Sequence, residues 1–162
     1  MDSQISIKRI LPSSLFVALI FILDRVTKHL ILELSQPLNE LNIQVNSFLS
    51  FNLVWNDGIA FGLLSFKENF FYEVVTILII IVSLLVLWFA LRTKGIEKFG
   101  FLMILGGALG NLFDRMYYSS VIDFIDISYN NYHWFIFNVA DIFITISVLI
   151  LIFSEFIKKK ND

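Results

Sequence analysis

Cysteine is absent from the chain, which excludes a disulfide, a thiolate nucleophile and a cysteine-bound zinc. His29 and His133 are the only histidines. They lie too far apart for a histidine-rich metal site, and neither reads as the base of a catalytic triad. No serine sits in a G-x-S-x-G elbow, and no H-E-x-x-H pair or glycine-rich phosphate loop is present. Charge is scarce as well. Asp, Glu, Lys and Arg make up 16% of the 162 residues, against about 25% in a typical soluble domain. A net charge of −2 gives no basis for a nucleic-acid partner.

Apolar residues, by contrast, form 57% of the chain, and the mean hydropathy is +0.79. A globule of this length has too little interior for so much Leu, Ile and Phe, whereas a bilayer accepts it as solvent. The length suits one domain, without an internal repeat, low-complexity tract or linker. Four segments approach the ~20 residues needed to cross the hydrocarbon core. They are roughly 10–32, 70–91, 99–116 and 139–157. The first is interrupted late by Asp24, Arg25 and Lys28, and the third is short and rich in glycine. Backbone groups in lipid must be satisfied within their own segment, so each is expected to be a helix. Lys8 and Arg9 before the first run resemble the start of a secretory signal. That run continues without a small-residue cleavage site, so a retained span is expected.

Most of the 12 cationic residues fall at one end of these spans: Lys8, Arg9, Arg92, Lys94, Lys98, Lys158, Lys159 and Lys160. The positive-inside rule makes that end cytoplasmic and puts both termini there. Loops 33–69 and 117–137 then face outward. Both alternate as strands do: Phe51, Leu53 and Trp55 with Asn52, Val54 and Asn56, and Val121, Asp123, Ile125 and Ile127 with Ile122, Phe124 and Asp126. The first alternation ends at a turn signal, Asn56-Asp57-Gly58. Tyr117, Tyr118, Tyr129, Tyr132 and Trp134 suit an interfacial aromatic belt. The expected fold is an α-helical polytopic membrane protein, with four transmembrane helices and a small extracytoplasmic β-sheet resting on the outer leaflet.

Polar residues near a span cost several kcal/mol unless paired or hydrated, and here they gather at the outer ends of spans one, three and four. Asp24, Thr27 and Lys28 share a helix face, which suits a local Asp24–Lys28 ion pair, a functional group, or both. In span three, Gly106, Gly107 and Gly110 allow a close helix approach. Asn111, Asp114 and Arg115 follow, the last two better suited to packing and ion pairing than to direct chemistry. In span four, Asn138, Asp141 and Thr145 share a face, and Asn138 also fits a helix N-cap with Asp141 in the first turn. Asp123 reads either as a solvated loop aspartate or as the partner of Asp141.

Two close carboxylates supply what amide hydrolysis needs. They cannot both ionise readily, so the pair holds one proton. The ionised member takes a proton from water and the protonated member polarises the carbonyl. Elimination of the other nucleophiles leaves an aspartate-based hydrolase as the leading enzymatic option, without identifying a substrate.

Five blocks in order carry a resemblance: Asp24-Arg-Val-Thr-Lys28, Asn56-Asp-Gly-Ile-Ala-Phe61, Gly106-Gly-Ala-Leu-Gly-Asn-Leu-Phe-Asp-Arg115, Val121-Ile-Asp-Phe124 and Phe137-Asn-Val-Ala-Asp141. Along nearly its whole length the chain resembles the bacterial lipoprotein signal peptidases, or signal peptidase II. The resemblance implies an aspartic endopeptidase of the bacterial inner membrane, with Asp123 and Asp141 as its catalytic dyad. It implies that Asn111, Asp114, Arg115 and Asn138 support the site, together with Asp24, Lys28, Asn56 and Gly58. The substrate it implies is a prolipoprotein, already carrying diacylglycerol, cut just before its lipobox cysteine. The segment around Asn56 to Phe61 then belongs to a cradle over the substrate, with Gly58 and Gly62 as candidate hinges. The resemblance implies no metal or organic cofactor. Arg25, where many relatives have Gln, and Asp57 depart from the family pattern. An ion-coupled transporter, with acids relaying protons, and a membrane scaffold glued by Asn and Arg are the rival readings.

Overall fold

In the computed structural model, residues 7–58, 69–130 and 132–161 are described. Their elements run α1 (Ile7–Leu34), β1 (Asn42–Gln44), β2 (Leu49–Asn56), α2 (Asn69–Arg92), α3 (Gly95–Tyr118), β3 (Val121–Tyr129), β4 (Tyr132–Phe137) and α4 (Val139–Asn161). Each expected span lies inside a helix, and the two alternating segments are strands. The chain is thus a helical membrane protein with a small antiparallel sheet. Among the described residues three helical segments are long and apolar enough to cross a bilayer: Tyr72–Arg92, Gly95–Tyr118 and Val139–Lys159. The 28 residues of α1 are long enough as well, but Asp24, Arg25 and Lys28 interrupt its apolar run. Ile59, Ala60, Phe61 and Gly62, and with them the expected cradle segment and second hinge, lie outside the described residues, as do the side chains of Lys8 and Arg9.

The burial pattern is that of a protein dissolved in lipid. Leu15, Leu19, Ile77, Leu84, Leu149 and Phe153 are exposed, while Asp24, Lys28, Asp114 and Asn138 are buried. In water such an arrangement would be costly on both counts.

Helix α3 packs against all three other helices, and its glycines set how closely. A Cβ on Gly110 would lie 2.6 Å from Asp24 Oδ2, and one on Gly107 would lie 2.7 Å from the carbonyl oxygen of Ala140. Only hydrogen at these positions lets α1 and the first turn of α4 reach α3. Edge-to-face contacts of Phe16 with Phe99 and Phe21 with Phe113 extend the α1–α3 seam, and Phe89 stacks on Phe101 between α2 and α3.

The sheet has the order β1-β2-β3-β4, antiparallel throughout. Strand β3 leaves α3 directly through Ser119, whose left-handed backbone (φ 57°) ends that helix. Ile122 and Phe124 pack on Ile31 near the end of α1, which seats the sheet on one end of the bundle. Two irregularities interrupt the ladder. Between Phe51 and Val54, β2 carries one residue more than β3. Between His133 and Ile136, β4 likewise carries one more than β3. Alternation in the sequence reveals the strands but not these bulges.

The Gly107 contact is with backbone, which cannot swing aside, whereas a Cβ on Gly100 would meet only the Leu151 side chain, at 2.9 Å. Gly107→Ala is therefore expected to cost about 1–3 kcal/mol of stability through overpacking, and Gly100→Ala clearly less. Thermal unfolding of both variants in detergent checks the order; equal melting temperatures would show that α4 is free to shift.

Candidate active site

Five elements, α1, β2, α3, β3 and α4, bring their polar residues to one end of the bundle. Lys28 is 1% exposed, and an ammonium group buried this far needs all three of its donors occupied. They are: Lys28 Nζ reaches Asp24 Oδ2 at 3.0 Å, Asp114 Oδ2 at 2.7 Å and Asn111 Oδ1 at 2.9 Å. Arg25 closes the group from the side, donating to Asp24 Oδ2 at 2.8 Å and to Asp114 Oδ1 at 2.5 Å. Its guanidinium lies 4.7 Å from the ring centre of Phe113, a cation–π contact with the weakly hydrated cation that suits an apolar flank. The expected Asp24–Lys28 pair is real, then, but it is one edge of a four-membered network with two acids and two bases. Thr27 takes no part; its hydroxyl donates to the carbonyls of Leu23 and Asp24 on its own helix.

Both acids also hold the neighbouring elements. Asp24 Oδ1 accepts from the backbone N–H of Ala140 at 3.1 Å, in the first turn of α4. Asp114 Oδ2 also accepts from the N–H of Ile122 at 3.2 Å, in β3. The residues that follow are Asp141 and Asp123.

Asp141 and Asn138 form a reciprocal cap. The N–H of Asp141 donates to Asn138 Oδ1 at 3.1 Å, and the N–H of Asn138 donates to Asp141 Oδ2 at 3.2 Å. The capping reading of these two residues is therefore correct, and it does not displace the other. Asp141 Oδ1 still accepts from Asn111 Nδ2 at 2.8 Å, and Asn138 Nδ2 still donates to Asp123 Oδ1 at 2.6 Å. Asn138 thus touches both carboxylates.

Asp123 is 2% exposed, so the solvated-loop reading fails. Its Oδ2 accepts from Asn56 Nδ2 at 2.7 Å. Asn56 is oriented by its own turn, its Oδ1 accepting from the N–H of Gly58 at 2.9 Å. Burial, followed by the charge of Asp141, pushes the Asp123 carboxyl up to about 7, against the opposing pull of the Asn56 and Asn138 amides.

Arg115 is buried and donates through Nη2 to the carbonyl of Gly58. Its guanidinium lies 5.1 Å from the ring centre of Tyr72 on α2. The described residues offer no hydrogen-bond partner to its Nε or Nη1. Every residue singled out in the sequence as supporting the carboxylate pair therefore lies in one connected cluster: Asp24, Lys28, Asn56, Gly58, Asn111, Asp114, Arg115 and Asn138.

Sequence reasoning missed two contributors. Tyr72 sits in an apolar span with nothing to mark it. Asp126 is buried, its Oδ2 accepting from Asn52 Nδ2 at 2.6 Å and lying 2.8 Å from His133 Nδ1. The signal was available: by strand alternation Asp126 shares a face with Ile122 and Phe124, where an acid is out of place.

Comparison with known proteins finds relatives along nearly the whole chain. Residues 16–157 match the family described as Signal peptidase (SPase) II. A lipoprotein signal peptidase of Pelagibacter ubique (strain HTCC1062) is 40% identical, the alignment covering 99% of this chain and 98% of that one. One from Francisella tularensis subsp. novicida (strain U112) is 38% identical over 89% of this chain and 91% of its own. A bacterial membrane enzyme solved by the in meso method superposes with a TM-score of 0.79 at 30% identity, covering 93% of this chain and 91% of its own. Because the match runs through every helix and strand around the buried carboxylates, the conclusion is direct: the chain belongs to the signal peptidase II family of peptidases.

Proposed function

We propose that the chain is an aspartic endopeptidase that removes the signal peptide from diacylglyceryl-modified prolipoproteins, cutting before the lipidated lipobox cysteine, with Asp123 and Asp141 as its dyad. The observation that carries this reading is the connection of two buried carboxylates, from β3 and α4, through one asparagine. Beside them stands a charge network with two acids and two bases.

In this reading Asp123 holds the shared proton below about pH 7 and Asp141 serves as the base. Water placed between them gives a proton to Asp141 as its oxygen attacks the scissile carbonyl carbon, while Asp123 gives its proton to the carbonyl oxygen. The tetrahedral intermediate collapses as the C–N bond breaks. The proton on Asp141 passes to the leaving nitrogen, and Asp123 recovers its own from the collapsing hydroxyl. Asn111, Asn138 and Asn56 hold the carboxylates in register throughout. Arg115, whose Nε and Nη1 have no partner among the described residues, suits the substrate backbone, and Gly58 supplies the carbonyl that steadies it. No metal or organic cofactor enters this scheme.

The diacylglyceryl group contributes orientation. Anchored in the bilayer, it fixes the scissile bond at membrane depth and turns an encounter between free molecules into a local one. The exposed apolar flanks of the helices support entry of such a substrate from lipid. The distribution of Lys and Arg supports a multi-pass protein of the bacterial inner membrane, α1 being its fourth span, with both termini cytoplasmic and the site toward the outer face. All of these parts belong to one membrane-embedded domain.

Two outcomes are expected from purified protein in detergent, assayed by mass with a lipobox peptide supplied with and without diacylglycerol. Wild type cuts the lipidated peptide before its cysteine. Asp123→Asn and Asp141→Asn remain folded but lose at least about 10³-fold in rate, the scale of removing one member of a catalytic unit. Full activity in either variant would falsify the dyad.

The pH dependence follows from the raised Asp123 carboxyl. Below about 7 Asp123 keeps its proton, and above it the proton is lost. Activity is therefore expected to fall as pH rises through about 7, and a rate that climbs steadily through the alkaline range would exclude this assignment. Stability should move in the same sense. A carboxyl raised on folding contributes fully below its unfolded value and loses that contribution as pH rises through the folded one. Asp123→Asn should therefore flatten the decline in melting temperature between about pH 4 and pH 7.

A further inference from the structure

Asp126 lies on the face of the sheet opposite Asp123 and between the two bulges. Register explains why that matters. Phe51 pairs with Ile125 and so shares the face of Asp123. Simple alternation from Phe51 would put Leu53 and Trp55 on that face and turn Asn56 away. The extra residue between Phe51 and Val54 reverses this: Val54 pairs with Asp123 and Asn56 with Val121, so Asn56 faces Asp123. A bulge re-aims every side chain beyond it, and bulges gather beside active sites for that reason.

Asn52 sits in this bulge, with its Nδ2 donating to Asp126 Oδ2 at 2.6 Å. Ser50, paired with Asp126 across the ladder, donates to the same oxygen at 3.4 Å. On the other side His133 borders the second bulge, and its Nδ1 lies 2.8 Å from that oxygen. Beyond it, Ile136 and Phe137 pair with Asp126 and Ile125 and lead straight into Asn138. One carboxylate oxygen thus holds both bulges at the points where the backbone ladder is broken.

We propose that Asn52, Asp126 and His133 form a cross-strand staple whose task is positional: it holds the two bulges so that Asn56 and Asn138 keep their amides on Asp123. The cluster is poorly built as a stabiliser. Asn52 Oδ1 and Asp126 Oδ1 are buried without a partner among the described residues, and unpaired buried acceptors are costly. Fixing geometry at the proposed dyad accounts for an arrangement that stability does not. Asn52, Asp126 and His133 are positioning residues that act through Asn56 and Asn138.

The inference rests on the dyad reading, and the experiment separates the two. Asp123 faces Asp141 from α4 and Lys28 from α1, with Asp24 and Asp114 paired to Lys28, and takes its hydrogen bonds from Asn56 and Asn138. Those amides oppose the rise of the Asp123 carboxyl, so loosening them moves the alkaline limb of the rate profile to higher pH. Asn52→Ala changes no charge, which leaves geometry as the only route to such a movement. Asn52→Ala and His133→Phe are assayed with the diacylglyceryl lipobox peptide beside wild type, Asn56→Ala and Asp123→Asn. Both staple variants are expected to lose about 10- to 100-fold in kcat, the cost of a slight misplacement. KM should change little, and the alkaline limb should move upward as it does for Asn56→Ala. His133→Asn, which keeps a donor in place of Nδ1, should recover most of the rate. A lowered melting temperature with unchanged kcat and pH profile would make the cluster merely structural and overturn the proposal. Should Asn52→Ala not fold, His133→Phe and His133→Asn decide alone. Activity in Asp123→Asn would remove the dyad reading itself, whereas an inactive Asp123→Asn beside an unaltered Asn52→Ala would remove only the staple.

Discussion

The buried ammonium of Lys28 is the constraint on which the rest of the site depends. A cation in a helix bundle surrounded by lipid is tolerated only when every donor has an acceptor, and removing one partner from such a group typically costs about 3–5 kcal/mol. Lys28 meets the requirement with Asp24, Asp114 and Asn111, and that requirement dictates how the helices pack. Asp24 must approach α3 so closely that only glycine fits at position 110. Once there, Asp24 and Asp114 also accept backbone N–H groups from the start of α4 and from β3. The charge network therefore joins four elements, and the two carboxylates proposed to do the chemistry stand one residue beyond its contacts.

A second regularity concerns the asparagines. Each of the three that touch Asp123 or Asp141 has its amide oxygen already occupied by a donor. Lys28 binds that of Asn111, the N–H of Gly58 binds that of Asn56, and the N–H of Asp141 binds that of Asn138. With the oxygen engaged, each NH2 group is left to face Asp141 or Asp123. Orientation is thus imposed from behind by a cation, a turn and a helix cap, which preorganises the amides that face the two carboxylates.

How much of this could be read from the residues follows from the range of each signal. Helices α2 and α4 are announced by long apolar runs, and the glycines of α3 by their spacing. Strands β2 and β3 show as alternation, and the polar positions stand out because charge is scarce. What stayed hidden depends on contacts distant in sequence. That Asp123 is buried depends on Asn56 and Asn138 arriving from two other elements. That Asn52 sits in a bulge is a property of the pairing between β2 and β3, which neither strand records alone. Asp126 lay in between: its place on an apolar strand face was legible, but its partners were not. Where several residues act as one unit, as in the blocks from Asp24 to Lys28 and from Gly106 to Arg115, resemblance to a family supplied what local physics left open.

The electrical balance of the cluster suits the shared proton proposed for the pair. Asp24 and Asp114 are matched by Arg25 and Lys28, and all three donors of Lys28 are committed. Among the described residues neither Asp123 nor Asp141 accepts a hydrogen bond from a cation; both are held by amides. Amide dipoles steady one negative charge but do not neutralise two, and Lys28 acts on the pair only through space. Burial, followed by the charge of Asp141, raises the Asp123 carboxyl to about 7, so it holds its proton to a far higher pH than a solvated aspartate does. Arg25 matters to this balance although it touches neither member. Without its charge the network would hold two acids against one base, and the excess would press on the pair beside it. A paired network of Asp24, Asp114, Arg25 and Lys28 beside two carboxylates held by amides is thus what the proposed division of labour, one aspartate as acid and the other as base, requires.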